Sequence, residues 1–191
     1  MWNFKGESKS SFSNHTFLQM QGRLFMKRGF RLFFAFLLIA ALFVAQAGSV
    51  SASKRVYKAT LTTGAELHEV VGSSARGSFL MGFNMDGSMQ FMLSVRGLSG
   101  PVGGAHIHAP ASATENAPVV LTLCGGPSPA VVATCTVTDG VLTVEGTFTS
   151  AFLQGISGAA FLDALEAGLT YVNVHTGLNP AGEARGQIIP Q

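Results

Sequence analysis

The sequence predicts an all-β fold, a Greek-key β-sandwich or barrel of immunoglobulin-like or superoxide-dismutase-like form with one short helix. Three observations predict it. Short segments alternate apolar and polar residues, the 23 glycines and 7 prolines supply many turns, and a single stretch has helical character. Charged residues are only 12% of the 191 and hydrophobic ones 47%, which excludes an intrinsically disordered chain. The chain has no internal repeat, so one module is expected rather than an array.

The strand candidates follow one another from residue 55 onward. Alternation in Arg55–Leu61 puts Tyr57, Ala59 and Leu61 on one face of the first strand. The next two candidates surround a hairpin turn, Met85–Ser88, in which glycine supplies the positive φ. Their apolar faces hold Phe79, Met81 and Phe83 in one, and Met89, Phe91, Leu93 and Val95 in the other. Further strand candidates are 104–108, 119–124, 133–137, 141–148, 170–175 and 186–189.

One helix is predicted at Ala159–Ala167, with Gly168 as its C-terminal stop. The methionines at 81, 85, 89 and 92 could form a copper–thioether site, which is one interpretation of their clustering. Because Met81 and Met89 share strand faces with phenylalanines, packing in the core is the preferred interpretation.

A secretory signal peptide is predicted over residues 26–52. A basic segment begins at Met26, an uninterrupted apolar run occupies 32–44, and small residues then form cleavage settings of the A-x-A type. An uncleaved anchor helix is the alternative, but it would need about 20 apolar residues to span a bilayer. We therefore expect an exported protein, periplasmic or extracellular, that meets the membrane only through this transient signal.

The remaining boundaries follow from the signal peptide. Residues 1–25 are an N-terminal extension, and we expect translation to begin at Met26 or the extension to be discarded. Residues 53–191 form the domain and hold six basic and nine acidic side chains, a net charge of −3. Since the basic residues are scattered and form no stripe that could neutralise phosphates, nucleic acid is not expected as a partner.

The two cysteines, Cys124 and Cys135, predict a disulfide, because an even count in an exported chain favours pairing. Closing so short a loop stabilises a domain by about 2–3 kcal/mol in the chain-entropy model. A metal-binding or redox-active pair is the alternative, and the spacing, which is not C-x-x-C, disfavours both.

His106 and His108 are the first candidates for a functional site. Their i, i+2 spacing on a strand puts both imidazoles on one face, with Cα atoms about 6.5–7 Å apart. His175 occupies another strand candidate, and Tyr171 and Asn173, on the same face, are candidates for contacting and orienting the ligating imidazoles. Three imidazoles suit copper or zinc. The sequence does not fix strand order, so the convergence of His175 on the other two is an assumption.

A structural network is the competing interpretation of the same histidines. In it the imidazoles bond to loop carbonyls and to the turn formed by Asn179, Pro180 and Gly182. Glu183 and Arg185 follow this turn on one strand face, which predicts a local charge pair worth about 0–1 kcal/mol if exposed. A fourth histidine, His68, is interpreted as a solvated polar residue and not as a ligand.

The segments Ala167–Thr176 and Asn179–Gln187 resemble the closing signature of the CHRD (chordin-type) domain family. Gly104–His108, followed by the Pro-Val-Val of residues 118–120, is similar to the family's central signature. These motifs are specific in combination, and the likeness extends over residues 54–190, in the manner of the single-domain bacterial members.

This resemblance implies an extracytoplasmic all-β domain and supplies no agreed activity. One departure lies at Glu69–Gly72, where members of the family usually carry Glu-Val-Pro-Pro. The H-x-H pair with a distant third histidine is also similar to the copper-side ligands of copper/zinc superoxide dismutases, which are β-sandwiches too.

No catalytic motif accompanies these features: the sequence has no G-x-S-x-G elbow, no H-E-x-x-H pair and no phosphate-binding loop. The first interpretation is therefore a non-enzymatic binding or structural module for an extracytoplasmic ligand or protein that the sequence does not identify. The alternative is a metal-binding protein with a copper or zinc site at His106, His108 and His175, with redox activity as an extension of it.

Overall fold

A computed structural model describes residues 55–128 and 130–191. The predicted extension, 1–25, and signal peptide, 26–52, lie outside these residues. Within the described ranges, no helix is long and apolar enough to cross a membrane.

The described residues form ten strands, one α-helix and two short 3-10 turns, Thr63–Ala65 and Ser150–Phe152. The first five strands are β1 (Val56–Thr62), β2 (Arg76–Phe83), β3 (Met89–Arg96), β4 (Val102–His108) and β5 (Val119–Gly125). The others are β6 (Val131–Ala133), β7 (Thr136–Thr138), β8 (Val141–Phe148), β9 (Thr170–Thr176) and β10 (Ala184–Pro190), and the helix, α1, spans Gly158–Glu166 between β8 and β9.

All ten strands belong to one sheet, in the order β6-β5-β4-β9-β10-β1-β2-β3-β8-β7. Neighbouring strands are antiparallel except β5 and β6, which are parallel. The sheet curls so that β6 lies near β8, and a Cβ added to Gly146 would come within 2.9 Å of Val132. The structure therefore confirms the all-β prediction with one short helix, in the form of a curled half-barrel.

The period-two pattern of the sequence places the core. Tyr57, Ala59 and Leu61 of β1 are buried, as are Phe79 and Met81 of β2 and the apolar face of β3. Gly87 closes the β2–β3 hairpin with φ +83°, as the turn prediction requires. Met81 and Met89 are buried in the core, which confirms the packing interpretation for these two methionines.

The strand predicted at 133–137 is wrong. Two short strands replace it: β6 pairs in parallel with β5, and β7 pairs antiparallel with β8. Cys135 lies between them and is bonded to Cys124 of β5, which confirms the disulfide. The disulfide holds Cys135 beside β5, at one end of the sheet. The chain then crosses to β8, at the other end, so residues 133–137 cannot form one straight strand.

Helix α1, predicted at Ala159–Ala167, spans Gly158–Glu166 and so begins and ends one residue earlier than predicted. The Ser157 side chain accepts a hydrogen bond from the backbone N–H of Ala160 and so caps the first turn. Gly168, with φ +66°, follows the last turn. Phe161 on the buried side packs edge-on against Phe148, which ties the helix to the core.

Candidate metal centre

Strands β4, β9 and β10 carry a layer of polar side chains on the face that points away from the hydrophobic core. In the antiparallel register, His106 pairs with Asn173 and His108 pairs with Tyr171, while Arg185 pairs with Asn173 from the other side. Paired residues point to the same face of a sheet, so these five side chains lie together. Val172 and Val174, which alternate with them on β9, are buried in the core.

The structure brings the three candidate histidines together. One ring nitrogen from each of His106, His108 and His175 lies within 4.8 Å of those of the other two. The ring centroids of His106 and His175 are 4.9 Å apart, and that of His108 lies 6.1 and 6.4 Å from them. The strand order that the sequence left open, with β9 directly beside β4, is what joins His175 to the H-x-H pair.

Backbone carbonyls fix the tautomers of two of these rings. His108 Nδ1 is 2.9 Å from the Ala117 carbonyl oxygen, and His175 Nδ1 is 3.0 Å from that of Pro180. A carbonyl only accepts, so each Nδ1 carries the hydrogen and a neutral ring keeps its lone pair on Nε2. This is the arrangement found behind most metal-bound histidines.

The free nitrogens of all three rings are buried. His106 Nδ1, His108 Nε2 and His175 Nε2 have no hydrogen-bond partner among the residues that the structure describes. The His106 ring lies close to Gly104 and Gly126, where an added Cβ would stand 3.3 and 3.1 Å from ring atoms. Glycine at these positions therefore leaves the space that the imidazole occupies.

Burial keeps the three imidazoles neutral. Desolvation lowers the pKa of His106 to about 4, with a smaller contribution from the neighbouring His175 and His108. Desolvation likewise lowers the pKa of His108 to about 4, against the opposing effect of its bond to Ala117. The pKa of His175 is lowered for the same reason, and the nearby His68 adds to the effect. Neutral imidazoles are the form that binds metal ions.

Tyr171 stands between the histidines and a buried cation. Its ring is stacked on His108, with centroids 4.6 Å apart and planes 4° from parallel, and the Arg185 guanidinium carbon lies 3.5 Å from the Tyr171 centroid. The tyrosine hydroxyl accepts a hydrogen bond from the Ala117 backbone N–H. The stack holds the His108 ring in a fixed plane.

Glu66 and His68 lie at the other side of the site, and sequence reasoning did not identify Glu66. The Glu66 carboxylate accepts a 2.8 Å hydrogen bond from Asn173 Nδ2. His68 Nε2 is 3.0 Å from the Gly182 carbonyl oxygen, and 35% of its side chain is exposed. His68 does not belong to the group of three histidines. Glu66 reaches the site only through the three-dimensional path of the β1–β2 loop, which no local sequence pattern predicts.

The predicted charge pair between Glu183 and Arg185 is wrong. Glu183 is fully buried and accepts hydrogen bonds from the side chains of Ser73, Ser99, Thr176 and Asn179 and from the Ser99 backbone N–H. Arg185 instead donates to Asn116 Oδ1 and to the carbonyl oxygens of Ser112 and Glu115. The chain bends between the two residues, so each serves a different loop.

Asn179 completes the turn that the sequence singled out. Its side chain accepts from the Val71 backbone N–H at 2.9 Å and donates to the Val71 carbonyl oxygen at 3.0 Å. Gly182 has φ +138°, a conformation that glycine adopts readily. The turn thereby fixes Pro180, whose carbonyl oxygen bonds to His175.

The CHRD domain family model matches residues 57–188, which include the three histidines and the polar layer around them. The chain belongs to the CHRD domain family. No curated protein and no solved structure matches this CHRD chain. The CHRD match begins within β1 and ends within β10, two strands that pair with each other, so it spans the whole folded unit described above.

Proposed function

We propose that this CHRD protein is an exported, non-enzymatic binding module that holds a copper or zinc ion at His106, His108 and His175. One observation carries the proposal: each of the three imidazoles has a ring nitrogen within 4.8 Å of those of the other two, and each has a buried ring nitrogen without a hydrogen-bond partner in the described structure. A buried polar atom left unpaired costs about 1–3 kcal/mol, so an uncompensated group of three would be a considerable burden on a small domain. A bound ion would satisfy all three at once.

The donor set restricts the class of ion. Three neutral imidazoles suit copper and zinc, whereas calcium and magnesium prefer oxygen ligands. The Nδ1–H bonds of His108 and His175 to carbonyl oxygens orient the Nε2 lone pairs before any ion arrives. Preorganisation of this kind increases affinity because little ordering remains to be done on binding.

Export is supported by two independent features. The disulfide between Cys124 and Cys135 belongs to proteins of oxidising compartments. The sequence before the domain has the three parts of a secretory signal, with cleavage expected near residue 52. Within this proposal the module works in the periplasm or at the cell surface, where copper and zinc are both accessible.

Metal content of the exported protein tests the proposal. The full chain is expressed, the exported product is purified without chelators, and copper and zinc are quantified by mass spectrometry. We expect about one ion per chain, lost in His106→Ala. His68→Ala is the matched control, because His68 is a neighbouring histidine whose Nε2 already bonds to Gly182, and it should retain the ion.

A purely structural histidine network is the competing function, and the bonds to Ala117 and Pro180 favour it. The same preparation separates the two. If the protein takes up neither copper nor zinc at micromolar concentration and His106→Ala only lowers its thermal stability, the metal-binding proposal fails.

A further inference from the structure

Glu66 is a buried carboxylate with no lysine or arginine within ion-pair distance among the described residues. Only 3% of its side chain is exposed, and its nearest titratable neighbour is His68, with Nδ1 3.9 Å from Oε2. Elsewhere in the described ranges the only other ion pair is between Arg55 and Glu166. A buried carboxylate is unfavourable unless it is hydrogen-bonded and faces positive charge. Among the residues that the structure describes, the carboxylate has one direct hydrogen bond, from the Asn173 amide.

That hydrogen bond fixes the orientation of the Asn173 amide. A carboxylate accepts and does not donate, so the NH₂ group of Asn173 must face Glu66 and the amide oxygen must face away from it. Asn173 is 3% exposed, and in the described structure its Oδ1 has no hydrogen-bond partner. The residue stands directly across the strand pair from His106 and two positions before His175 on the same face.

Gly182 allows this arrangement. A Cβ added there would collide with Asn173 Nδ2 and with the Glu66 carboxylate oxygens. The backbone of the closing turn therefore passes directly over the pair, and the turn holds Glu66 and Asn173 against the sheet. Three ring nitrogens and one amide oxygen without hydrogen-bond partners in the described structure thus belong to neighbouring residues of one buried layer.

We propose that Asn173, oriented by Glu66, accepts a hydrogen bond from a water molecule that completes the coordination of a divalent ion at His106, His108 and His175. This inference rests on the proposed function and deepens it, because it names the fourth ligand. Three protein ligands leave one position of a tetrahedral site open, and that position takes water or another small molecule.

The same geometry makes the fourth position selective for a hydrogen-bond donor. Water can bind the ion through oxygen and donate a proton to Asn173 Oδ1. An anion such as azide has no hydrogen to donate and would face the amide oxygen of Asn173. The site should therefore hold water and resist anions.

Azide binding to the Co²⁺-loaded protein tests this at a fixed neutral pH. Cobalt replaces zinc in tetrahedral sites, and its visible absorption changes when the fourth ligand changes. The variants are Asn173→Ala and Glu66→Gln, and Glu69→Gln is the control because it removes the same charge from an exposed residue of the same loop. We expect azide to bind both site variants roughly five- to tenfold more tightly than wild type, the effect of one hydrogen bond to the displaced water. The control should match wild type.

The outcomes separate this inference from the proposal beneath it. If all four proteins bind one Co²⁺ per chain and azide affinity is the same in each, Asn173 does not hold the fourth ligand, while the metal centre stands. If azide binds none of the loaded proteins, the fourth position is closed and the inference fails again. If wild type binds no Co²⁺, the metal centre itself is wrong. Glu66→Gln preserves shape and decides the result should Asn173→Ala fold poorly.

Discussion

Arg185 lies against the ring of Tyr171, with its guanidinium carbon 3.5 Å from the ring centroid, although the cation is 1% exposed and has no carboxylate partner in the described residues. Its charge is accommodated by the π face and by the oxygens of the β4–β5 loop. Through Tyr171, which stacks on His108, the cation contributes to the position of one histidine of the candidate metal centre.

Replacing Arg185 should therefore loosen both the loop and the histidine. Arg185→Lys removes the planar guanidinium that donates hydrogen bonds to Ser112, Glu115 and Asn116. The lysine ammonium cannot stack on the Tyr171 ring in the same way. We expect the free energy of unfolding to fall by about 2–3 kcal/mol, on the scale of losing several hydrogen bonds to a charged group. Urea denaturation measures it. Tyr171→Phe keeps the ring and should cost less than about 1.5 kcal/mol; equal losses in the two variants would contradict the argument.

The disulfide should stabilise the domain without being required for the sheet. It closes a loop with a sequence separation of 11 and joins β5 to the segment between β6 and β7. We expect the double variant Cys124→Ala, Cys135→Ala to lose about 2–3 kcal/mol in denaturant unfolding. Wild type under reducing conditions should show the same loss, and a variant as stable as the oxidised protein would refute this.

Glu183 gives the fold a defined acid sensitivity. Burial alone would raise the pKa of its carboxyl, but hydrogen bonds from Ser73, Thr176 and Ser99 outweigh burial and lower the pKa below its ordinary 4.5. The unfolded chain therefore binds the proton more readily than the folded one, and the stabilisation is present above pH 4.5 and lost as the pH falls through the lower, folded value.

The comparison with Glu183→Gln isolates this contribution. The side chain at position 183 no longer titrates in this variant. The variant should be less stable than wild type at pH 7, because an amide NH₂ would face the hydrogen-bond donors that surround the carboxylate. The difference in unfolding free energy should shrink as the pH falls from 5 toward 3. Exposed Glu145→Gln provides the control. A difference that stays constant over this range would show that the carboxylate is not held by its donors.

Much of the fold was predictable because strand side chains alternate between faces. That single rule placed Tyr57 and Leu61 in the core and identified the β2–β3 hairpin. It failed at 133–137, where a covalent bond from Cys135 to Cys124 interrupts an otherwise acceptable strand pattern. Alternation describes local geometry and contains no information about which distant segment a cysteine will meet.

The candidate site was predictable only in part, for the same reason. His106 and His108 share a face by spacing alone, but His175 joins them because β9 pairs with β4. The contact of Glu66 with Asn173 depends on a loop from the opposite end of the sequence. Glu183 and Arg185 were expected to pair because alternation put them on one face, yet each met stronger partners from loops.

Gly182 should not tolerate a side chain. Its φ of +138° is strained for any other residue, and an added Cβ would collide with Glu66 and Asn173. We expect Gly182→Ala to lower the free energy of unfolding by about 2–3 kcal/mol and to weaken metal binding as well. Gly87→Ala is a control for positive φ alone, because nothing lies within 4 Å of a Cβ there, and it should leave metal binding intact. Equal metal affinity in the two variants would contradict a role of the Gly182 turn in metal binding.

A metal ion at the proposed site should stabilise the folded protein by mass action, because the three converging imidazoles exist only when β4 and β9 are paired. At a free Zn²⁺ concentration 100 times the dissociation constant, the expected gain is about 2.7 kcal/mol. Thermal unfolding should therefore shift upward with Zn²⁺ and return on addition of a chelator. In His108→Ala the ion loses one of three ligands, so the shift should vanish while the chelator has no effect. A Zn²⁺-dependent shift that persists in this variant would place the ion elsewhere on the protein.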